Sequence, residues 1–301
     1  MTYSEIWHRI ATSYDDGEAR AIARILIEEL FGLSYADIVC GATEQLSADD
    51  TLRLDTAVRR IEQGEPLQHV LGYADFCGNR FSVNGSVLIP RPETEWLVDE
   101  GAKLMDGCIA SDETQHKAPH SPKRILDIGT GSGCIAISLK LRLGDAYVEA
   151  WDISEEALRT AQDNADALKA EVVFRKRDAL RADNTAAPWD LIVSNPPYIC
   201  DSERSAMDDN VLLHEPHTAL FVPDDDPLRF YRAIARYALL TLNTGGSLLF
   251  ECNTRYAEAT GTMLRDMGFE EVTVSDDCFN LPRFVRGRKN SPSQPSPSGR
   301  A

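Results

Sequence analysis

The chain is poor in several things, and each shortage narrows what it can be. No apolar run approaches the ~20 residues that a membrane-spanning helix needs, so a helical membrane protein is not expected. The start, Met1-Thr2-Tyr3-Ser4-Glu5, lacks the basic-then-apolar layout of a secretory leader. Basic residues are few: 31 Lys and Arg stand against 48 Asp and Glu, a net charge of −17. A field of that sign repels nucleic-acid phosphates and favours a basic partner, which weighs against direct nucleic-acid binding. The seven cysteines are odd in number and contain no C-x-x-C. They read as reduced thiols in the cytoplasm, not as a disulfide framework. His214-Glu215-Pro216-His217 places two histidines close together, but the proline between them and the lack of further ligands predict a solvated loop without a metal.

What is present is enough apolar residue, 43% of 301 positions, to bury a sizeable core, and the length suggests two domains. Residues 1–65 read as helices. Ile22, Ala23, Leu26, Ile27 and Leu30 form one helical stripe. Ser47 is an N-cap for the helix carrying Leu54, Ala57, Val58 and Ile61, which ends at Gly64. Residues 66–90 read as a β-hairpin linker, with strands at Gln68–Tyr73 and Asn79–Val83 and a turn at Cys77-Gly78-Asn79. Residues 91–289 hold alternating strands and helices, and 290–301 form a Ser/Pro-rich, disordered tail. Within the third stretch, Thr94 is predicted to cap a helix starting at Trp96, and residues 107–123 read as a loop. The alternation predicts an α/β fold, a Rossmann-like, mostly parallel sheet with ligands at the carboxyl ends of its strands.

Two motifs fall at such ends. In the first, Arg124-Ile125-Leu126-Asp127-Ile128-Gly129-Thr130-Gly131-Ser132-Gly133, a strand enters a glycine-rich turn and a helical run leaves it. Asp152 follows at the end of the next strand, where an acid can hold ribose hydroxyls. The spacing Gly129-x-Gly131-x-Gly133 is not that of the dinucleotide fingerprint, and Asp127 is poorly placed for a pyrophosphate. An acid there suits a ligand with a positive charge, such as the ammonium and sulfonium of S-adenosylmethionine.

The second motif is Asn195-Pro196-Pro197-Tyr198, after the buried-strand run Leu191-Ile192-Val193-Ser194. Consecutive prolines lack N–H groups and cannot join a sheet ladder. Their carbonyls and the Asn195 side-chain oxygen are therefore free to accept hydrogen bonds from an –NH2 group, while the Tyr198 ring offers a flat face. Such a device holds a planar nitrogen, either an amide or a base.

Together these motifs resemble class I S-adenosylmethionine-dependent methyltransferases that modify planar nitrogens. The stretches Leu88-Ile89-Pro90-Arg91-Pro92-Glu93-Thr94-Glu95, Glu65 to Gly72 and Glu215 to Leu220 are similar to those of the release factor glutamine methyltransferases, over roughly residues 5–288. The resemblance implies a seven-stranded sheet and a helical amino-terminal domain that docks the substrate. It implies S-adenosylmethionine as methyl donor, no metal, and class I peptide-chain release factors as partners of a cytoplasmic monomer. The methylated group would be the side-chain amide of the glutamine in their Gly-Gly-Gln motif. Cofactor contacts would fall to Asp127, Gly129, Thr130, Gly131, Ser132, Gly133, Asp152, Asp178, Ala179 and Asn195. Asn195, Pro196, Pro197, Tyr198 and Arg91 would meet the substrate, with Asn195, Pro196 and Tyr198 catalytic. Ala179 stands where relatives can carry an aromatic residue. A nucleic-acid amino methyltransferase is the alternative reading of the same tetrapeptide, and it would want a basic groove or a target-reading domain.

Overall fold

The computed structural model describes residues 1–110, 122–182, 188–207 and 209–290. The chain begins with α1 (Tyr3–Ile10), α2 (Asp16–Phe31), α3 (Tyr35–Val39), α4 (Ala48–Glu62) and α5 (Leu67–Leu71). Their apolar stripes meet in a core of their own, where Ile6 and Ile10 pack with Ile22, Leu26 and Ile27 and with Leu54, Val58 and Ile61. Ser47 caps α4 by accepting a bond from the Asp50 N–H at 3.1 Å, as its sequence predicts.

The linker differs from its predicted form. Residues Leu67–Leu71 are helical and not a strand: Pro66 starts the turn with its fixed φ, and Gly72, at φ +82°, closes it onto the Gln68 carbonyl. An apolar run this short does not reveal its period. The hairpin itself is β1 (Tyr73–Phe76) and β2 (Asn79–Ser82). Cys77 and Gly78, at φ +47° and +73°, form its two-residue turn, the left-handed kind that matches strand twist.

Next come α6 (Glu95–Ala110), β3 (Arg124–Ile128), α7 (Cys134–Leu143), β4 (Tyr147–Asp152), α8 (Glu155–Leu168) and β5 (Val172–Lys176). Residues 107–110, expected in a loop, continue α6; the rest of that expected loop, 111–121, and the tail 291–301 lie outside the described residues. Then follow β6 (Trp189–Ser194), β7 (Ile199–Cys200), α9 (Asp209–His214), α10 (His217–Leu220), β8 (Phe221–Val222) and α11 (Arg229–Thr241). The described chain ends with β9 (Leu242–Glu251), α12 (Ala257–Asp266), β10 (Phe269–Asp276) and β11 (Pro282–Lys289).

Seven strands form one sheet in the order β10-β11-β9-β6-β3-β4-β5. β11 runs antiparallel to its neighbours β10 and β9, while β9, β6, β3, β4 and β5 pair in parallel. Side chains alternate between two layers. Ile125, Leu191, Val193 and Leu249 pack under α6 and α7, while Leu126, Ile192, Leu248 and Phe250 pack under α11 and α12. Strand order reverses at β3, between β6 and β4. A crevice therefore opens above the carboxyl ends of β3 and β6, the place where open α/β sheets bind ligands. Among the described residues no helix is long and apolar enough to cross a membrane.

Candidate active site

A cavity of about 350 Å³ occupies that crevice, within the size range of small-molecule sites. A larger, more open hollow of about 820 Å³ lies at the opposite end of the sheet, by Ala146, Tyr147 and Val172, away from both motifs.

The glycine turn forms the cavity floor. Gly129, at φ +78°, and Thr130 donate their N–H groups to the Trp151 carbonyl at 2.8 and 2.9 Å, which ties the turn to β4. Gly131 donates to Asp152 Oδ2 at 2.9 Å, while Asp152 Oδ1 accepts from the Ser154 N–H at 2.9 Å. Burial raises the Asp152 pKa against those bonds. Gly133 sits at φ +82°, and a Cβ there would lie 2.9 Å from Ile137 Cδ1 and 3.1 Å from Ala161 Cβ. Glycine is thus required at Gly133 by both backbone and space.

Asp127 is wholly buried behind this turn. Thr130 Oγ1 donates to its Oδ2 at 2.6 Å, and the Ala136 backbone N–H also favours its charged form. Burial pushes this carboxyl up to about 7. Of the residues assigned from sequence to the cofactor, Gly129, Gly131, Asp152, Asp178, Ala179 and Asn195 line the cavity. Asp127, Thr130, Ser132 and Gly133 lie behind it and shape the turn. Asp178 caps the short helical turn Ala179–Arg181 by accepting from the Leu180 N–H at 2.8 Å. Phe230 and Ile234 of α11 also reach the wall. Sequence reading missed both, since an inward apolar residue on a helix looks the same whether it meets core or ligand.

Asn195 leaves the end of β6 with its carboxamide half-buried. Its Oδ1 is buried without a partner, and its Nδ2 donates to Thr94 Oγ1 at 3.4 Å. Thr94 in turn donates to Glu251 Oε2 at 2.7 Å. Thr94 is therefore not the helix cap expected of it. It lies in the tight turn Pro92–Thr94 with its hydroxyl aimed at the sheet. Burial lifts Glu251 to about 7, partly offset by Thr94 and the Arg283 charge. Pro196 and Pro197 line the cavity. Tyr198 does not; it packs beside the α11 layer, and burial raises its hydroxyl pKa. Its backbone is pinned on both sides, with its N–H on the Leu220 carbonyl at 3.2 Å and its carbonyl on Asn253 Nδ2 at 3.3 Å.

Arg91, expected to face cofactor or substrate, is paired instead with Glu215 at 2.5 Å. Glu215, nearly inaccessible, also accepts from the Ile89 N–H at 3.1 Å, which anchors the segment leading to Thr94. His214 and His217 sit in short helices and not in a solvated loop. His214 Nε2 is buried without a partner, while His217 is exposed and bonded to the Leu212 carbonyl. Asn164 of α8, itself buried, joins two segments. Its Oδ1 accepts from the Ser82 N–H at 2.7 Å, and its Nδ2 donates to the carbonyls of Ser82 and Ser132 at 3.1 and 2.9 Å.

A parallel sheet with one reversed strand, a glycine turn after its first strand, an acid after its second and Asn-Pro-Pro-Tyr after its fourth define a class I S-adenosylmethionine-dependent methyltransferase. Residues 96–220 match the methyltransferase small domain, and residues 8–72 match the PrmC N-terminal domain. A methyltransferase structure from Pyrococcus furiosus shares the fold, with a TM-score of 0.50, 13% identity and coverage of 81% of this chain and 100% of that one. The release factor glutamine methyltransferase of Bacteroides thetaiotaomicron is 43% identical over 277 residues, 92% of this chain and 95% of that protein. That of Flavobacterium psychrophilum is 36% identical over 281 residues, 92% and 94% of the two chains. The chain belongs to the release factor glutamine methyltransferase family.

Proposed function

We propose that this enzyme methylates the side-chain amide nitrogen of the glutamine in the Gly-Gly-Gln motif of class I peptide-chain release factors. The observation that carries the reading is Asn195 Oδ1: an acceptor, buried and unpartnered, at the wall of a cavity floored by glycines. A buried acceptor left open in this way costs stability unless something binds it. The relatives at 43% and 36% identity, matched along helical region and sheet alike, favour a protein glutamine over a nucleic-acid base.

The residues present fit S-adenosylmethionine. Asp152 keeps free lone pairs for ribose hydroxyls, Asp178 and Ala179 offer an adenine edge between Ile153 and Phe230, and Gly129 and Gly131 let the amino-acid end approach the backbone. When bound, the cofactor supplies an electrophilic methyl group on a sulfonium. Asn195 Oδ1 and the Pro196 carbonyl accept the two hydrogens of the substrate amide, and the rigid prolines hold that geometry without reorganising. As the nitrogen gains its methyl group it becomes acidic, and one proton leaves to solvent without a strong general base. Pro197 faces the amide plane, while Tyr198, packed behind the cavity wall, holds the two prolines in place through its pinned backbone. Arg91, through Glu215, fixes the segment that carries Thr94. The helical region docks the release factor, and the enzyme works as a cytoplasmic monomer.

The test is to incubate enzyme and labelled methyl donor with a release factor or with nucleic acid. Label on the factor, lost when its Gly-Gly-Gln glutamine is replaced, is the expected result. Label on nucleic acid alone overturns the reading.

A further inference from the structure

The Asn195 carboxamide can sit in two orientations that differ only by exchange of oxygen and nitrogen, and only one presents an acceptor to the cavity. Its neighbours decide which. A threonine hydroxyl has a single proton. The Thr94 proton points to Glu251 Oε2, 2.7 Å away, a buried acceptor. Toward Asn195, 3.4 Å away, Thr94 Oγ1 is left with lone pairs and must accept. The Asn195 –NH2 therefore faces Thr94, and Oδ1 faces away from it, where it has no protein partner.

We propose that Glu251 and Thr94 are positioning residues that hold the Asn195 carboxamide with its oxygen toward the substrate. The proposal rests on the glutamine-methylating reading and adds to it what keeps the acceptor turned the right way. The relay runs from the end of β9, through the turn before α6, to the end of β6. Neither residue lines the cavity, so neither is catalytic. If Glu251 stopped accepting, the Thr94 proton would be free to point at Asn195 and favour the reversed amide, which presents donors to a donor. The link between Thr94 and Asn195 is the longest in the relay, and such contacts tighten when a reactive complex forms.

Thr94→Val removes the hydroxyl and keeps the shape. It is expected to lower kcat by about 10- to 100-fold, as a misaligned reactive group does, with the Kd for S-adenosylmethionine within about twofold of the parent. Thr94→Ser, which keeps the hydroxyl, should restore most of the loss. A second readout needs no turnover. With ¹⁵N-labelled asparagine, the Asn195 side-chain signal, assigned by its absence in Asn195→Ala, should show one hydrogen protected from exchange in the parent and neither in Thr94→Val. Near-parental kcat in Thr94→Val, failure of Thr94→Ser to rescue, or an unprotected Asn195 amide in the parent each overturns the proposal. If no variant or parent methylates a release factor, the glutamine reading fails, while the Asn195 signal still decides the orientation.

Discussion

In the helical region four helices begin on a side chain that accepts their first free N–H groups: Thr2, Asp15, Ser34 and Ser47. In the catalytic region α8 has such a cap in Ser154, but α7, α10, α11 and α12 begin without one. The glycines differ in the same way. A Cβ at Gly32 or Gly64 would meet nothing, whereas one at Gly133 would strike Ile137 and Ala161. Buried polar atoms without partners occur in both regions, Thr43 Oγ1 in the helical one and Asn195 Oδ1 in the catalytic one, but only Asn195 lines the cavity. The helical region satisfies its own backbone locally. The catalytic region leaves an acceptor open at its cavity and packs the Gly133 turn tightly, which makes sense where a ligand completes the bonding.

The strongest test of that contrast is Asn195→Ala. It should cut methyl transfer by about 10²-fold or more while leaving S-adenosylmethionine binding, measured by calorimetry, largely intact. Retained turnover would erase the distinction between an open acceptor and a structural one.

Gly133→Ala should destabilise the protein by about 2–4 kcal/mol in denaturant titration, from its left-handed backbone and the clash together. Gly64→Ala, with open space around it, should cost only about 1 kcal/mol. Equal losses would mean the two kinds of turn are alike.

The pH response should also separate the regions. Asp127 and Glu251 hold protons up to about 7 in the fold, against ordinary values of 3.8 and 4.5. Between those limits the folded state binds more protons than the unfolded chain, so their contribution is full below about pH 4 and is lost as pH rises to about 7. Asp127→Asn or Glu251→Gln should each flatten that fall in stability of the ligand-free enzyme. An unchanged slope in both would place the titration elsewhere.

The smallest effect expected is electrostatic. Raising salt from low to physiological strength should weaken release-factor affinity by a few-fold, because a chain of net charge −17 attracts a basic partner. A flat response would reduce the charge to a solubility device.

The fold and the two motifs were legible because they are local. Gly129, Gly131 and Gly133 punctuate one turn, and Asn195-Pro196-Pro197-Tyr198 is contiguous. The relay was not legible. Thr94 lies 101 positions from Asn195 and 157 from Glu251, and its place before an acidic helix start imitates an N-cap. Arg91 between two prolines suggested a ligand contact, while its partner Glu215, 124 positions away, left no trace in its neighbourhood. The short run before Gly72 read as a strand for want of enough residues to show a period.

The single buried carboxamide of Asn164 has a consequence of another kind. It grips the hairpin at Ser82 and the glycine turn at Ser132, while Arg80 of the same hairpin grips Glu29 of α2 at 3.0 Å. Helical region, hairpin and cavity floor are thereby joined as the jaws of a caliper are joined by its frame. On the proposed function, a release factor docked on the helices would offer its residues to Asn195 at a set span. Selection of one glutamine among many would then be a measurement of length as well as a recognition of an amide.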